Sequence, residues 1–131
     1  MATVKAKYLG GLRVECTHLQ SGTTIITDAP TDNNGKGEAF SPTDLCSTSL
    51  AACAMTIMGI YAQNNGIDLT GTDIEITKKM AAEPRRIAEI DVIFNFPANG
   101  YTEKEKKILE RVAHTCPLHP DVKQNIVFNW Q

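Results

Sequence analysis

Between Leu45 and Gln63 the chain carries no charged residue, and that stretch limits the possible fold more than any other. Its length approaches the roughly 20 residues that a bilayer-spanning helix needs. However, Ser47, Thr48, Ser49, Thr56 and Gln63 lie within it, and no basic flank anchors it. A buried helix of a soluble protein explains it better, so no membrane partner is expected. Ser41 is a strong N-cap, Pro42 suits the first helical position, and Asp44 completes a capping-box-like pattern. Asn64-Asn65-Gly66 ends the helix near Gln63. From Leu50 to Tyr61 it is apolar nearly all round, which marks it as central and buried. Ser47, Ser49, Ala51, Ala52, Ala54 and Gly59 are small enough to let another backbone approach closely.

The flanking segments read as strands and one further helix. Val4, Ala6 and Tyr8 alternate with lysines and Thr3, and Gly10-Gly11 offers a turn. Leu12, Val14 and Cys16 then alternate with Arg13, Glu15 and Thr17, and Thr23 to Thr27 is β-branched after a Ser21-Gly22 turn. Asp28 to Phe40 is a long polar loop, a kind of segment that is usually functional or mobile. After the central helix, Ile74 and Ile76, and later Ile90, Val92, Phe94 and Phe96, mark two alternating strands. Thr102 and Glu105 open a second helix with a capping box, and Ile108, Leu109, Val112 and Ala113 share one face of it. Pro117 stops that helix, and Ile126, Phe128 and Trp130 line a last strand. The order βββ-α-ββ-α-β is an α+β arrangement, and residues 1–131 have the length of a single domain.

Charge narrows the function. The net charge is -2, and Lys104, Lys106 and Lys107 are interleaved with Glu103, Glu105 and Glu110, so no nucleic-acid partner is expected. Met-Ala-Thr-Val-Lys carries no apolar signal segment, which points to a cytoplasmic location. There the four cysteines, Cys16, Cys46, Cys53 and Cys116, favour thiol chemistry or metal binding over structural disulfides. For Cys16 and Cys46 the plainer reading, cysteine as a small packing residue, is preferred.

Cys53 lies more than two turns into the central helix, beyond the reach of the positive helix terminus, so a reactive thiol there needs a cation from elsewhere. Read alone, a cysteine between Ala52 and Ala54 is more often inert core. Cys116 follows a helix end, where a thiolate is repelled. It therefore suits a resolving role better than a primary nucleophile. Its plainer reading is a loop cysteine.

The surrounding residues resemble a known family. Ala39-Phe40-Ser41-Pro42-Thr43-Asp44-Leu45, followed by Leu50-Ala51-Ala52-Cys53 eleven positions after the proline, is similar to the helix of the OsmC/Ohr family. Cys116-Pro117-Leu118-His119 resembles its second Cys-Pro motif, and Gly11-Leu12-Arg13-Val14-Glu15 the N-terminal strand of one OsmC-like branch. The resemblance implies an OsmC-like fold and an intertwined homodimer, with the long helices buried between sheets. It implies a peroxidatic Cys53, a resolving Cys116 and an activating Arg13, a hydroperoxide substrate, and a small thiol or dithiol reductant. No cofactor or metal is implied. The chain departs from the pattern at Thr43, where the family's peroxidases commonly carry a Glu that orients the arginine. The acid here is Asp44, nine residues before Cys53 and on roughly the opposite side of the helix, where its role is capping.

Ionisation alone does not make such a thiol a good catalyst. A cysteine of pKa about 8.5 is roughly 3% thiolate at pH 7, so full ionisation gains at most about 30-fold. The rest must come from orienting the peroxide and stabilising the departing oxygen, for which a guanidinium is suited. An exposed strand arginine paired with a neighbouring carboxylate is the alternative for Arg13. Met55, Ile57 and Met58 beside Cys53 would favour organic hydroperoxides, though such residues are more often core. Three rival functions remain. The first is a metal site of His114, Cys116 and His119, with Cys46 on the helix face of Cys53, which lacks a Cys-x-x-Cys partner. The second is an OsmC-like small-molecule binding protein without efficient peroxidase activity. The third, weakest, is a thiol hydrolase using His114 or His119 as base.

Overall fold

The central helix α1 runs over Pro42–Asn64 in a computed structural model that describes residues 1–118 and 122–131. It starts at a reciprocal cap. The Asp44 backbone N–H donates to Ser41 Oγ (3.1 Å) and the Ser41 N–H donates to Asp44 Oδ2 (3.0 Å), satisfying donors that a helix start otherwise leaves open. At its other end Gly66 takes a left-handed φ of 66°, and the Ile67 N–H returns to the Ala62 carbonyl (2.9 Å). By length and composition α1 would suffice to cross a bilayer, yet Leu50, Ala51, Ala54, Met58 and Ala62 are packed into a protein core.

The chain divides into two compact units, Met1–Cys46 and Ser47–Gln131. In the first, β1 (Val4–Gly10), β2 (Arg13–His18) and β3 (Thr24–Asp28) form an antiparallel sheet in the order β1-β2-β3. The turn between β1 and β2 places Gly10, Gly11 and Leu12 at φ 83°, 61° and 62°, a left-handed run that glycine makes accessible. The long loop after β3 contains a short 3-10 turn at Thr31–Asn33 and returns Phe40 to an isolated parallel bridge with Thr27.

The second unit holds the core. Strands β4 (Asp73–Ala81) and β5 (Arg86–Phe96) pair antiparallel, and β6 (Lys123–Trp130) pairs parallel to β5. A parallel neighbour requires a crossover, which helix α2 (Glu103–Ala113) supplies behind a complete Thr102–Glu105 capping box. Along β5, Ile90, Val92, Phe94 and Phe96 are buried on one face, and they pack with α1, Leu109 and Ala113 of α2, and the aromatic side chains of β6. Phe96 stacks on Trp130 at 3.8 Å between ring centres. Each large apolar side chain buried this way contributes about 1.5–3 kcal/mol. The opposite face is charged: Lys79 bridges Glu89 and Asp91, both at 3.0 Å, and Asn125 donates to the same two carboxylates at 2.7 Å.

The element order and the α+β class are those read from the sequence. Within the single chain α1 is central, as read from the sequence, and packs along one side. Ser49, Ala52, Thr56 and Ile60 form an exposed stripe, with Ile60 56% accessible. A near-uniformly apolar helix thus shows the single chain only one packed face.

Candidate active site

Helix α1 carries Cys53, half-buried, on the second unit, and the end of α2 delivers Cys116 to it. The last turn of α2 is closed by His114 and Thr115, whose N–H groups bond back to Arg111 and Val112. Pro117 then prevents the helix from continuing. Distant in sequence, the two thiols are in side-chain hydrogen-bond contact. Burial pushes the Cys116 thiol up from its ordinary range, the contact with Cys53 raises it further, and a backbone hydrogen bond from Leu118 opposes both. Two sulfur atoms so placed need only a short approach to reach the roughly 2.05 Å of a disulfide.

Beside Cys116 lies a cavity of about 40 Å³, whose walls include Leu50, Phe94, His114, Leu118 and Gln124. It is mostly apolar but not wholly so. The Gln124 amide nitrogen is buried and has no hydrogen-bond partner among the described residues, an arrangement that ordinarily costs about 1–3 kcal/mol. A larger open depression of about 450 Å³, at Met1–Thr3 and His18–Gln20, contains neither candidate thiol and no such amide.

Arg13 belongs to the first unit, where β2 and β3 place it directly across from Asp28. Its Nε donates to Asp28 Oδ1 at 2.7 Å and its Nη2 to Asp28 Oδ2 at 2.9 Å, with Nη2 also reaching Glu38 Oε2 at 3.2 Å. Asp28 is only 2% exposed, and the Glu38 backbone N–H donates to its Oδ2 at 3.1 Å. The Arg13 guanidinium holds the Asp28 carboxyl below the usual carboxylate range, against the effect of burial. The sequence alone does not mark Asp28 and Glu38 as partners of Arg13. The signal was available only in part, since Asp28 ends a strand, but the register that sets it opposite Arg13 follows from the turn between them. Asp44 is occupied at the Ser41 cap.

The remaining candidates divide simply. Cys16 is half-buried, while Cys46, read as a packing residue, is exposed on the first turns of α1. His119 lies outside the described residues. Among the described residues no cluster of three or more His, Cys, Asp or Glu side chains could hold a metal.

Three comparisons with known proteins bear on the site. The family model described as OsmC-like protein matches residues 35–131. A crystal structure from Psychrobacter arcticus, described as an osmotic stress induced and detoxification response protein, is 50% identical, with a TM-score of 0.92 over 98% of this chain and 96% of that one. An organic hydroperoxide resistance protein OsmC from Legionella pneumophila is 20% identical, with a TM-score of 0.72 over 98% of each chain. An organic hydroperoxide resistance protein from Elizabethkingia anophelis is 13% identical, with a TM-score of 0.69 over 100% of this chain and 98% of that one; at such identities the likeness is one of fold. No protein among those of curated function matches.

Proposed function

The chain belongs to the OsmC-like protein family, and on that premise we propose that it is a cysteine-based peroxidase of the OsmC/Ohr type that reduces organic hydroperoxides. The observation that carries the reading is the contact between Cys53 and Cys116. Solved relatives that share the fold and bear the name organic hydroperoxide resistance protein support it.

In this reading the Cys53 thiolate attacks the distal oxygen of the hydroperoxide. The O–O bond breaks, the alkoxide leaves as an alcohol after taking a proton, and Cys53 becomes a sulfenic acid. Cys116 then displaces the hydroxyl from Cys53, giving a disulfide and water, and a small thiol or dithiol reduces the pair. The raised Cys116 thiol suits it to this second step. Arg13 is the proposed cation that orients the peroxide and stabilises its departing oxygen. The bidentate Asp28 pair performs for Arg13 what the Glu absent at Thr43 performs elsewhere in the family. Residues 1–131 act as one OsmC-like domain of a cytoplasmic homodimer, in which a second copy covers apolar surface that the single chain exposes.

The test is consumption of tert-butyl or cumene hydroperoxide in the presence of a dithiol. Wild type should turn over and Cys53→Ser should not; equal rates for the two would end the peroxidase reading. Thr43 favours one second reading, a small-molecule binding protein of the same fold, and the same assay separates the two.

A further inference from the structure

Strand β6 presents Gln124, Ile126, Phe128 and Trp130 at alternate positions, and the last three pack on the core. Gln124 stands in register with Ile90, which is buried, so an amide occupies the place where a fourth apolar residue would continue the stripe. Its nitrogen is buried and unpartnered among the described residues, and the side chain lines the same small cavity as Cys116 and His114. A water molecule needs about 10–15 Å³ of such space and two to four polar partners. The cavity offers about 40 Å³, with the Gln124 amide, the Cys116 thiol and the His114 ring as candidate partners. Its other walls, Leu50, Val92, Phe94 and Ile126 among them, are apolar and offer a water no competing partner.

We propose that Gln124 is a positioning residue for disulfide formation, holding a water molecule against Cys116 that accepts the thiol proton as sulfur attacks sulfur. The inference rests on the proposed peroxidase cycle and assigns a residue to its second half. In that step the S–S bond forms as the S–O bond of the Cys53 sulfenic acid breaks. Hydroxide leaves Cys53, the proton leaves Cys116 through the held water, and together they make one further water. No outside oxidant or reductant enters. The assignment explains why an orphan donor is kept in a core: its partner is solvent, and its value lies in the moment when Cys116 must give up a proton that burial holds in place.

The experiment separates this site from the wider cycle. In a Cys53→Ser background, iodoacetamide labelling of Cys116, resolved from Cys16 and Cys46 by peptide mass mapping, reports the readiness of that thiol to ionise. Gln124→Met keeps the shape and removes the donor; Gln124→Leu serves the same purpose should the first variant fold poorly. The expected result is labelling slower by about tenfold with no fall in the melting temperature. With Cys53 intact, sulfenic acid formation on one equivalent of hydroperoxide should stay within about twofold while conversion to the disulfide slows by about tenfold. Unchanged labelling and unchanged conversion would overturn the proposal while leaving the peroxidase reading standing. Slower labelling in a protein whose wild type consumes no peroxide would do the reverse.

Discussion

The second unit, Ser47–Gln131, buries Phe94, Phe96, Met58 and Leu109, whereas the first, Met1–Cys46, buries Thr27, Asp28 and Ser41. The first unit also leaves Val4, Tyr8, Leu12, Ile25 and Ile26 exposed. One half is therefore ordered by an apolar interior, the other by strand register, a capped helix start and a bidentate ion pair. The contrast shows how one chain can separate two kinds of chemistry. Cys116 sits where burial can hold a proton on sulfur. The guanidinium sits where it keeps its charge and two carboxylates fix its direction.

The largest effect should come from the apolar half. Phe94→Ala, at a fully buried site, should cost about 3–5 kcal/mol in urea denaturation; a cost below about 1 kcal/mol would mean that the second unit does not rest on this core. Next is the apolar surface that the first sheet leaves exposed, Ile25 included. Ile25→Lys should weaken self-association by about tenfold in sedimentation experiments, and an unaltered assembly would show that a second copy does not cover β3.

The ion pair supplies a smaller, sharper test. Asp28→Asn keeps the shape and removes the charge, and kcat/KM for hydroperoxide should fall by about tenfold. Because the Asp28 carboxyl is held below its ordinary range, its contribution to stability is present above the unfolded-state value and is lost as pH falls through the folded one. The acid limb of a pH-stability profile should therefore flatten in Asp28→Asn. Cys116 should give the smallest effect and the opposite sign. Its thiol is raised, so its contribution is complete below the ordinary thiol range, near about pH 8.5, and is lost as pH rises through the raised value. Cys116→Ala should remove that alkaline loss, as thermal melts between neutral and alkaline pH can show.

Much of this organisation was legible in the residues themselves. Ser41, Asp44, Thr102 and Glu105 announce two helix starts through bonds that span three residues. The alternation of Ile90, Val92, Phe94 and Phe96 assigns one face of β5 to the core. The pairing of Cys53 with Cys116 could be expected only from family resemblance, since nothing local to either cysteine implies the other. The exposure of Ala52, Thr56 and Ile60 in the single chain is not legible in the sequence, because an apolar helix announces that it wants cover on all sides, not which cover a single chain provides. The place of Gln124 on the inner face is visible only once β6 is paired with β5.

By itself the sequence determined the order of strands and helices, their caps and turns, and which strand faces are apolar, because those preferences act over one to four residues. Only the tertiary structure decided that Cys116 meets Cys53, that Asp28 rather than Asp44 holds a candidate arginine, and that the Gln124 amide is left without a partner among the described residues. Such contacts depend on register and on crossovers that bring distant segments together, and no short-range rule carries that information.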